Sequence, residues 1–196
     1  MLSSTVTDSV HVAAADPART FNPARRWRRD LAFFLIAGSV IALDQFTKSL
    51  VRANLDVGET WPAGSDGLFR IIHVVNSGAA FGMLQGQTPF LIVTSLIGLA
   101  AILLYYIYPP MEHGIIRVAL GMQLGGAVGN LIDRVRLGEV TDFIDVGRWP
   151  TFNIADSSIF VSVVTVLLFF ALQETTDGGG KEKRPADAGR QPVGDD

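Results

Sequence analysis

Apolar residues along this chain gather into four long runs separated by polar connections. The runs span about 31–50 (LAFFLIAGSVIALDQFTKSL), 89–108 (PFLIVTSLIGLAAILLYYIY), 115–133 (IIRVALGMQLGGAVGNLID) and 157–173 (SSIFVSVVTVLLFFALQ). The hydrocarbon core of a bilayer requires about 20 mostly apolar residues in a helix, with about 17 as a lower bound. The second run meets this outright, and the fourth sits near the bound. The first and third meet it if Asp44, Lys48 and Arg117 lie near helix ends. No strand-repeat pattern capable of closing a barrel is present, so the runs predict helices. Between them, GLFRIIHVV at 67–75 reads as a strand entered through turn residues at 62–67. VTDFIDV at 140–146 reads as a second short strand. It sets Val140, Asp142 and Ile144 on one face and leaves Asp145 on the other, solvated one. The expected fold class is an all-α membrane protein, four transmembrane helices with a small β-sheet cradle outside the bilayer.

Charge orients this arrangement. Charged residues make up only 18% of the chain, and no Asp, Glu, Lys or Arg occurs between Arg70 and Glu112. Arg19, Arg25, Arg26, Arg28 and Arg29 precede the first run, while Lys181, Lys183, Arg184 and Arg190 follow the last. The positive-inside rule places both ends in the cytoplasm, so the connections 51–88 and 134–156 face outward. Residues 1–30 are expected as a disordered cytoplasmic extension, 31–173 as the membrane domain and 174–196 as a disordered tail. RRWRRD before the first run also has the look of a signal peptide, but an Asp–Lys pair inside that run argues against a cleaved one. Cysteine is absent, which removes disulfides, thiolate metal sites and a cysteine nucleophile. No basic patch with interleaved aromatics suggests nucleic acid.

Several polar residues stand where they are costly. Asp44 and Lys48 are spaced i,i+4 with the acid first, the favourable order. They either neutralise each other at the helix end or brace a polar site. Gly121, Gly125 and Gly129 form overlapping small-xxx-small steps, which let helix backbones approach closely. Gly126, Asn130 and Arg134 form a second stripe, with Asp133 beside it, so an amide, a carboxylate and a guanidinium gather at one helix end. Asn153 reads as the N-cap of the fourth helix, with Asp156 in its first turn, where the helix dipole favours a carboxylate. Surface solvation is the expectation for Glu139.

Exclusion leaves carboxylate chemistry. There is no H-E-x-x-H and no G-x-S-x-G, and His11, His73 and His113 lie outside the spans. Asp142-x-x-Asp145-x-Gly147 lacks the ligand spacing of a calcium loop, although a looser divalent site stays open. Two facing carboxyls share a proton and can serve as acid and base without a metal or other cofactor. The residues alone do not separate this from a small proton-coupled transporter or flippase using Asp44, Asp133 and Asp156.

Four motifs in order separate them. Asp44-Gln45-Phe46-Thr47-Lys48 comes first and Asn76-Ser77-Gly78-Ala79-Ala80-Phe81 second. The third runs from Gly125 to Arg134 (GGAVGNLIDR) and continues through Gly138, Val140, Asp142, Phe143 and Asp145. Phe152-Asn153-Ile154-Ala155-Asp156-Ser157 is the fourth. Over about 31–172 the chain resembles the lipoprotein signal peptidase family, the type II signal peptidases of bacteria. The resemblance implies an aspartic endopeptidase of the inner membrane, monomeric and in contact with lipid, with its active site at the extracytoplasmic face. Its substrates would be prolipoproteins whose cysteine carries diacylglycerol, cut just before that cysteine. The family's catalytic aspartates map onto Asp142 and Asp156. Asn76, Gly78, Asn130, Asp133, Arg134, Asn153, Asp44 and Lys48 take substrate-binding or supporting roles, and no metal is implied.

Overall fold

The computed structural model describes residues 23–64, 67–79, 83–109 and 113–178. Along the chain run α1 (Pro23–Asn54), β1 (Thr60–Trp61), β2 (Arg70–Asn76), α2 (Thr88–Ile107), α3 (Gly114–Leu137), β3 (Val140–Asp145) and α4 (Ile154–Gly178). All four helices are long and apolar enough to cross a membrane. α1, α3 and α4 are longer than their apolar runs, while α2 equals its run in length. Polar turns add to the helix wherever backbone hydrogen bonding continues past the hydrocarbon-matched segment. α1 starts at Pro23, a first-turn position where the missing N–H is no loss. At the far end of α3, Gly138 adopts φ +83° and donates its N–H to the Arg134 carbonyl at 3.1 Å, the left-handed stop that glycine permits. Residues 1–22 and 179–196, which hold most of the expected disordered extension and tail, lie outside the described residues, as do Ala80 and Phe81 of the second motif.

α3 is the central helix, packed against α1, α2 and α4. Its glycines explain how. A Cβ on Gly125 would lie 2.7 Å from the Ala37 carbonyl oxygen, and one on Gly121 would lie 3.0 Å from that of Phe33. One stripe of α3 is therefore pressed onto α1. Gly126 faces the other way, where a Cβ would meet the Ala155 carbonyl of α4 at 2.5 Å. Lipid tails supply no hydrophobic drive between helices, so such close backbone contact is the source of association. Phe33, Ile116 and Leu120 form the buried apolar cluster at the opposite end of these helices from the sheet, with Tyr106 stacked on Phe33 at 4.2 Å between ring centroids. α2 is the peripheral helix. Leu91 is its only fully buried residue, and Val93, Leu96, Ile97 and Leu104 point outward, as a lipid-facing helix requires.

The three strands form one antiparallel sheet in the order β1-β2-β3. β2 pairs with β3 through Val74↔Asp142, Val75↔Thr141 and Asn76↔Val140, with an irregularity between Ile71 and Val74. Phe152 covers the other edge of β3, where its carbonyl accepts from Phe143 N–H (3.0 Å) and Ile144 N–H (2.8 Å). The expected in-out alternation of β3 is absent, because Val140, Thr141, Asp142 and Phe143 are all buried. One face packs on α1 and α3, and the other is covered as well. The expectation of a solvated Asp145 is corrected. It is only 6% exposed, held by Arg70 of β2 at 2.5 and 2.9 Å and by the Gly147 N–H at 2.8 Å. Glu139, expected on the surface, is half-buried.

Candidate active site

The site forms where α1 and α3 end, α4 begins and β3 crosses between them. Its foundation is a buried cluster of charges. Lys48 has no exposed surface, and its Nζ lies 2.9 Å from Asp44, 3.2 Å from Asp133 and 2.9 Å from Asn130 Oδ1. Asp44 and Lys48 fall within the last three turns of α1, deeper than a helix-end pair. A lone charge costs about 2.5–3.5 kcal/mol at the centre of a span on insertion scales and less towards its end, so mutual pairing is what makes the cluster tolerable. Asp44 also accepts the Ala155 N–H at 2.9 Å, which ties α1 to the first turn of α4. Asp133 accepts the Thr141 N–H at 3.2 Å and stands 3.7 Å from Arg52. Asp133 and Arg134 do not form the simple interfacial pair that adjacency suggests. They point to different partners, Arg134 donating to the Gly78 carbonyl at 3.3 Å.

Two asparagines carry this order to the aspartates. Lys48 can only donate, so it fixes Asn130 Oδ1 as an acceptor and turns Asn130 Nδ2 toward Asp156 Oδ1, at 2.7 Å. Asn153 Nδ2 donates to Asn130 Oδ1 (3.2 Å) and to Asp142 Oδ1 (2.7 Å). Asn76 Nδ2 donates to Asp142 Oδ2 at 2.9 Å, and its own Oδ1 accepts the Gly78 N–H at 2.9 Å. Gly78 must be glycine, because a Cβ there would strike the Met83 carbonyl. The expected N-cap at Asn153 is present in reciprocal form. Asn153 Oδ1 accepts the Asp156 N–H (3.0 Å), while Asp156 Oδ2 accepts the Asn153 N–H (3.3 Å). Capping and placement in the site are thus one arrangement for Asp156.

Asp142 and Asp156 line the same cavity, of about 1070 Å³. Arg134, Asn76 and Ser157 supply further polar lining, while Ile159, Phe160 and Val163 form an apolar wall on α4. Asp142 is 3% exposed. Burial first, and then the neighbouring Asp156 carboxylate, push its pKa up to about 6, against the pull of Asn76, Asn153 and Lys48. Asp145 is held below the usual carboxylate range, chiefly by the Gly147 N–H, and has the character of a structural ion pair. Two carboxyls around one apolar-walled cavity, one inclined to keep its proton, can act as a general acid and a general base. No group of three His, Asp or Glu side chains among the described residues is placed to hold a metal ion.

The residues given catalytic, substrate-binding or supporting roles all belong to this one network, Gly78 at its edge, whereas Asp145 pairs separately with Arg70. Three others were missed. Gln45 Nε2 bridges Asp44, Asp133 and the Gly129 carbonyl at 3.1–3.2 Å. Arg52 donates to Thr141 Oγ1 at 2.9 Å. Arg52 was legible in principle, since Asp44, Lys48 and Arg52 form an i,i+4,i+8 stripe on α1. Thr141 gave no signal, because its role depends on long-range pairing.

Comparison with known proteins gives the family. Residues 36–172 match the family model described as Signal peptidase (SPase) II. A lipoprotein signal peptidase of Dehalococcoides mccartyi is 44% identical over 158 residues, covering 79% of this chain and 98% of that protein. One from Halothermothrix orenii is 39% identical over 141 residues, covering 72% and 96%. A solved bacterial membrane enzyme determined by the in meso method superposes with a TM-score of 0.68 at 33% identity, over 79% of this chain and 94% of that one. The matched segment contains the second and third apolar runs, most of the first and fourth, and both cavity aspartates. The chain belongs to the signal peptidase II family, the lipoprotein signal peptidases, and is an aspartic peptidase of the membrane.

Proposed function

We propose that Asp142 and Asp156 are the catalytic pair with which this peptidase removes signal peptides from diacylglyceryl-modified prolipoproteins, cutting before the lipidated cysteine. The observation that carries this reading is that both carboxyls line one cavity and are linked through Asn130 and Asn153. In the reaction, one aspartate is ionised and takes a proton from water as the water oxygen attacks the scissile carbonyl carbon. The other is protonated and gives its proton to the carbonyl oxygen. Collapse of the tetrahedral intermediate breaks the C–N bond: the second aspartate takes back the proton from the hydroxyl as the carbonyl re-forms, and the proton held by the first passes to the departing amine. A coupled pair titrates jointly, so the roles belong to the pair. Arg134 and Asn76 line the cavity and are suited to hold substrate backbone. The apolar wall of Ile159, Phe160 and Val163 suits acyl chains entering from the bilayer.

The same reading places both chain ends in the cytoplasm and the site at the extracytoplasmic face of the inner membrane, with a monomer as the working unit. The distribution of Lys and Arg supports the orientation. A proton-coupled transporter is less favoured, because the buried charges collect at one end of the bundle and α2 carries none. The test is purified protein in detergent with a diacylglyceryl prolipoprotein and its unlipidated form, with product peptides weighed. Cleavage immediately before the cysteine of the lipidated form, undiminished by EDTA, is expected. Equal cleavage of the unlipidated form would contradict the proposed specificity.

A further inference from the structure

Thr141, the residue before Asp142, is held by all three of its polar groups. Its N–H donates to Asp133 Oδ2 at 3.2 Å, and its hydroxyl oxygen accepts from Arg52 Nη1 at 2.9 Å. Its carbonyl accepts from Asn153 Nδ2 at 3.4 Å. These three partners come from α3, α1 and the cap of α4. Arg52 in turn stands 3.7 Å from Asp133, so one carboxylate and one guanidinium grip the same strand residue from two sides. Thr141 is 3% exposed, whereas the Arg52 side chain is 29% exposed. Phe152 covers its edge of β3 only at Phe143 and Ile144, so at Thr141 the Asp133 carboxylate and the Asn153 amide serve the backbone N–H and carbonyl in place of a neighbouring strand. The Arg52 bond to the Thr141 hydroxyl is additional to these. This grip falls one residue from a cavity aspartate, on the strand that must hold that aspartate against Asp156.

We propose that Arg52 and Thr141 are positioning residues, a clamp from the end of α1 that fixes β3 so that Asp142 faces Asp156 across the cavity. This rests on the reading of Asp142 and Asp156 as the catalytic pair. The clamp acts through Asp142 and touches no substrate. Its loss should let Asp142 swing or hydrate while the helices stay assembled. Misplacement of a reacting group by about 1 Å can cost on the order of 100-fold in rate. Hydration would also lower the Asp142 pKa, since burial is the largest cause of its upward shift. The charged groups that act on it are Asp156 from α4, Lys48 from α1 and Arg134 from α3. Arg70 of β2 is engaged with Asp145.

The test compares Thr141→Val with Thr141→Ser. Valine keeps the branched shape and loses the acceptor, while serine keeps the acceptor and loses the methyl group. The clamp predicts that T141V lowers kcat about 10- to 100-fold with KM little changed, and moves the alkaline limb of kcat/KM to lower pH. T141S should stay near wild type. A merely structural role gives the reverse order, because valine suits a strand better than serine does. Arg52→Met, altering a partly exposed side chain, should repeat the T141V pattern, with Arg52→Lys recovering part of the loss. It supplies the same readouts should T141V accumulate poorly. A wild-type kcat and pH profile in T141V and R52M, or T141S as impaired as T141V, would overturn the clamp. Asp142→Asn run alongside separates the two readings. Cleavage by D142N removes the catalytic pair itself, whereas an inactive D142N beside a fully active T141V removes the clamp alone.

Discussion

Asn130 is the residue through which the buried charges reach both carboxyls. Its oxygen takes bonds from Lys48 and Asn153 and its nitrogen serves Asp156, so its amide has one permitted orientation. Lys48 enforces that orientation and pairs with both Asp44 and Asp133. Lys48→Met should therefore destabilise by about 3–5 kcal/mol, the usual cost of orphaning a buried charge. Thermal unfolding in detergent would show it, and adding Asp44→Asn should restore part of the loss. The raised pKa of Asp142 sets a second expectation. With its pKa at about 6, the protonated member of the pair is depleted above that value, so kcat/KM should fall on the alkaline side with an apparent pKa near 6. By the same linkage, the stabilising contribution of this group is complete below the ordinary carboxylate range and is lost as pH rises through about 6. A rate profile flat from about pH 5 to 8 would contradict the assignment. At this scale the sequence was informative wherever a polar residue stood in an apolar run, as with Asp44, Lys48 and Asn130. It was silent on Thr141 and wrong on Asp145, whose burial depends on Arg70, 75 positions away.

At the scale of elements, α3 decides how close the helices come and thus where the aspartates can meet. Gly125→Val would drive side-chain atoms into the Ala37 carbonyl and Val40 of α1. A cost of about 1–3 kcal/mol, with reduced cleavage, is expected from the forced separation. Gly98→Ala on α2 meets open space. It should leave activity unchanged and stabilise slightly, because alanine favours helix by up to about 1 kcal/mol. Paired melting and cleavage assays of the two variants check the contrast. The four helices were readable from apolar run length, and two of the three strands from β-branched content. The two-residue β1 has too little sequence to carry a pattern. The burial of both β3 faces follows from helices that pack over the strand, which local alternation does not encode.

At the scale of the molecule, all buried charge described around the site lies at one end of the bundle, beside the sheet, while Asp30 and Arg117 pair near the other. With no native cysteine, single introduced cysteines can report the orientation in the membrane. Val57→Cys, at a position 67% exposed beside the sheet, should react with a membrane-impermeant maleimide in intact cells. Tyr108→Cys, at a position 75% exposed at the other end, should react only after lysis. The reverse pattern would contradict the proposed orientation. The central claim is that Asp142 and Asp156 together perform the cleavage, and its most direct test is the single-turnover rate of Asp142→Asn and Asp156→Asn on a diacylglyceryl prolipoprotein, with folding checked by thermal unfolding. The account predicts that each folded variant loses cleavage to background; measurable processing by either one would contradict it.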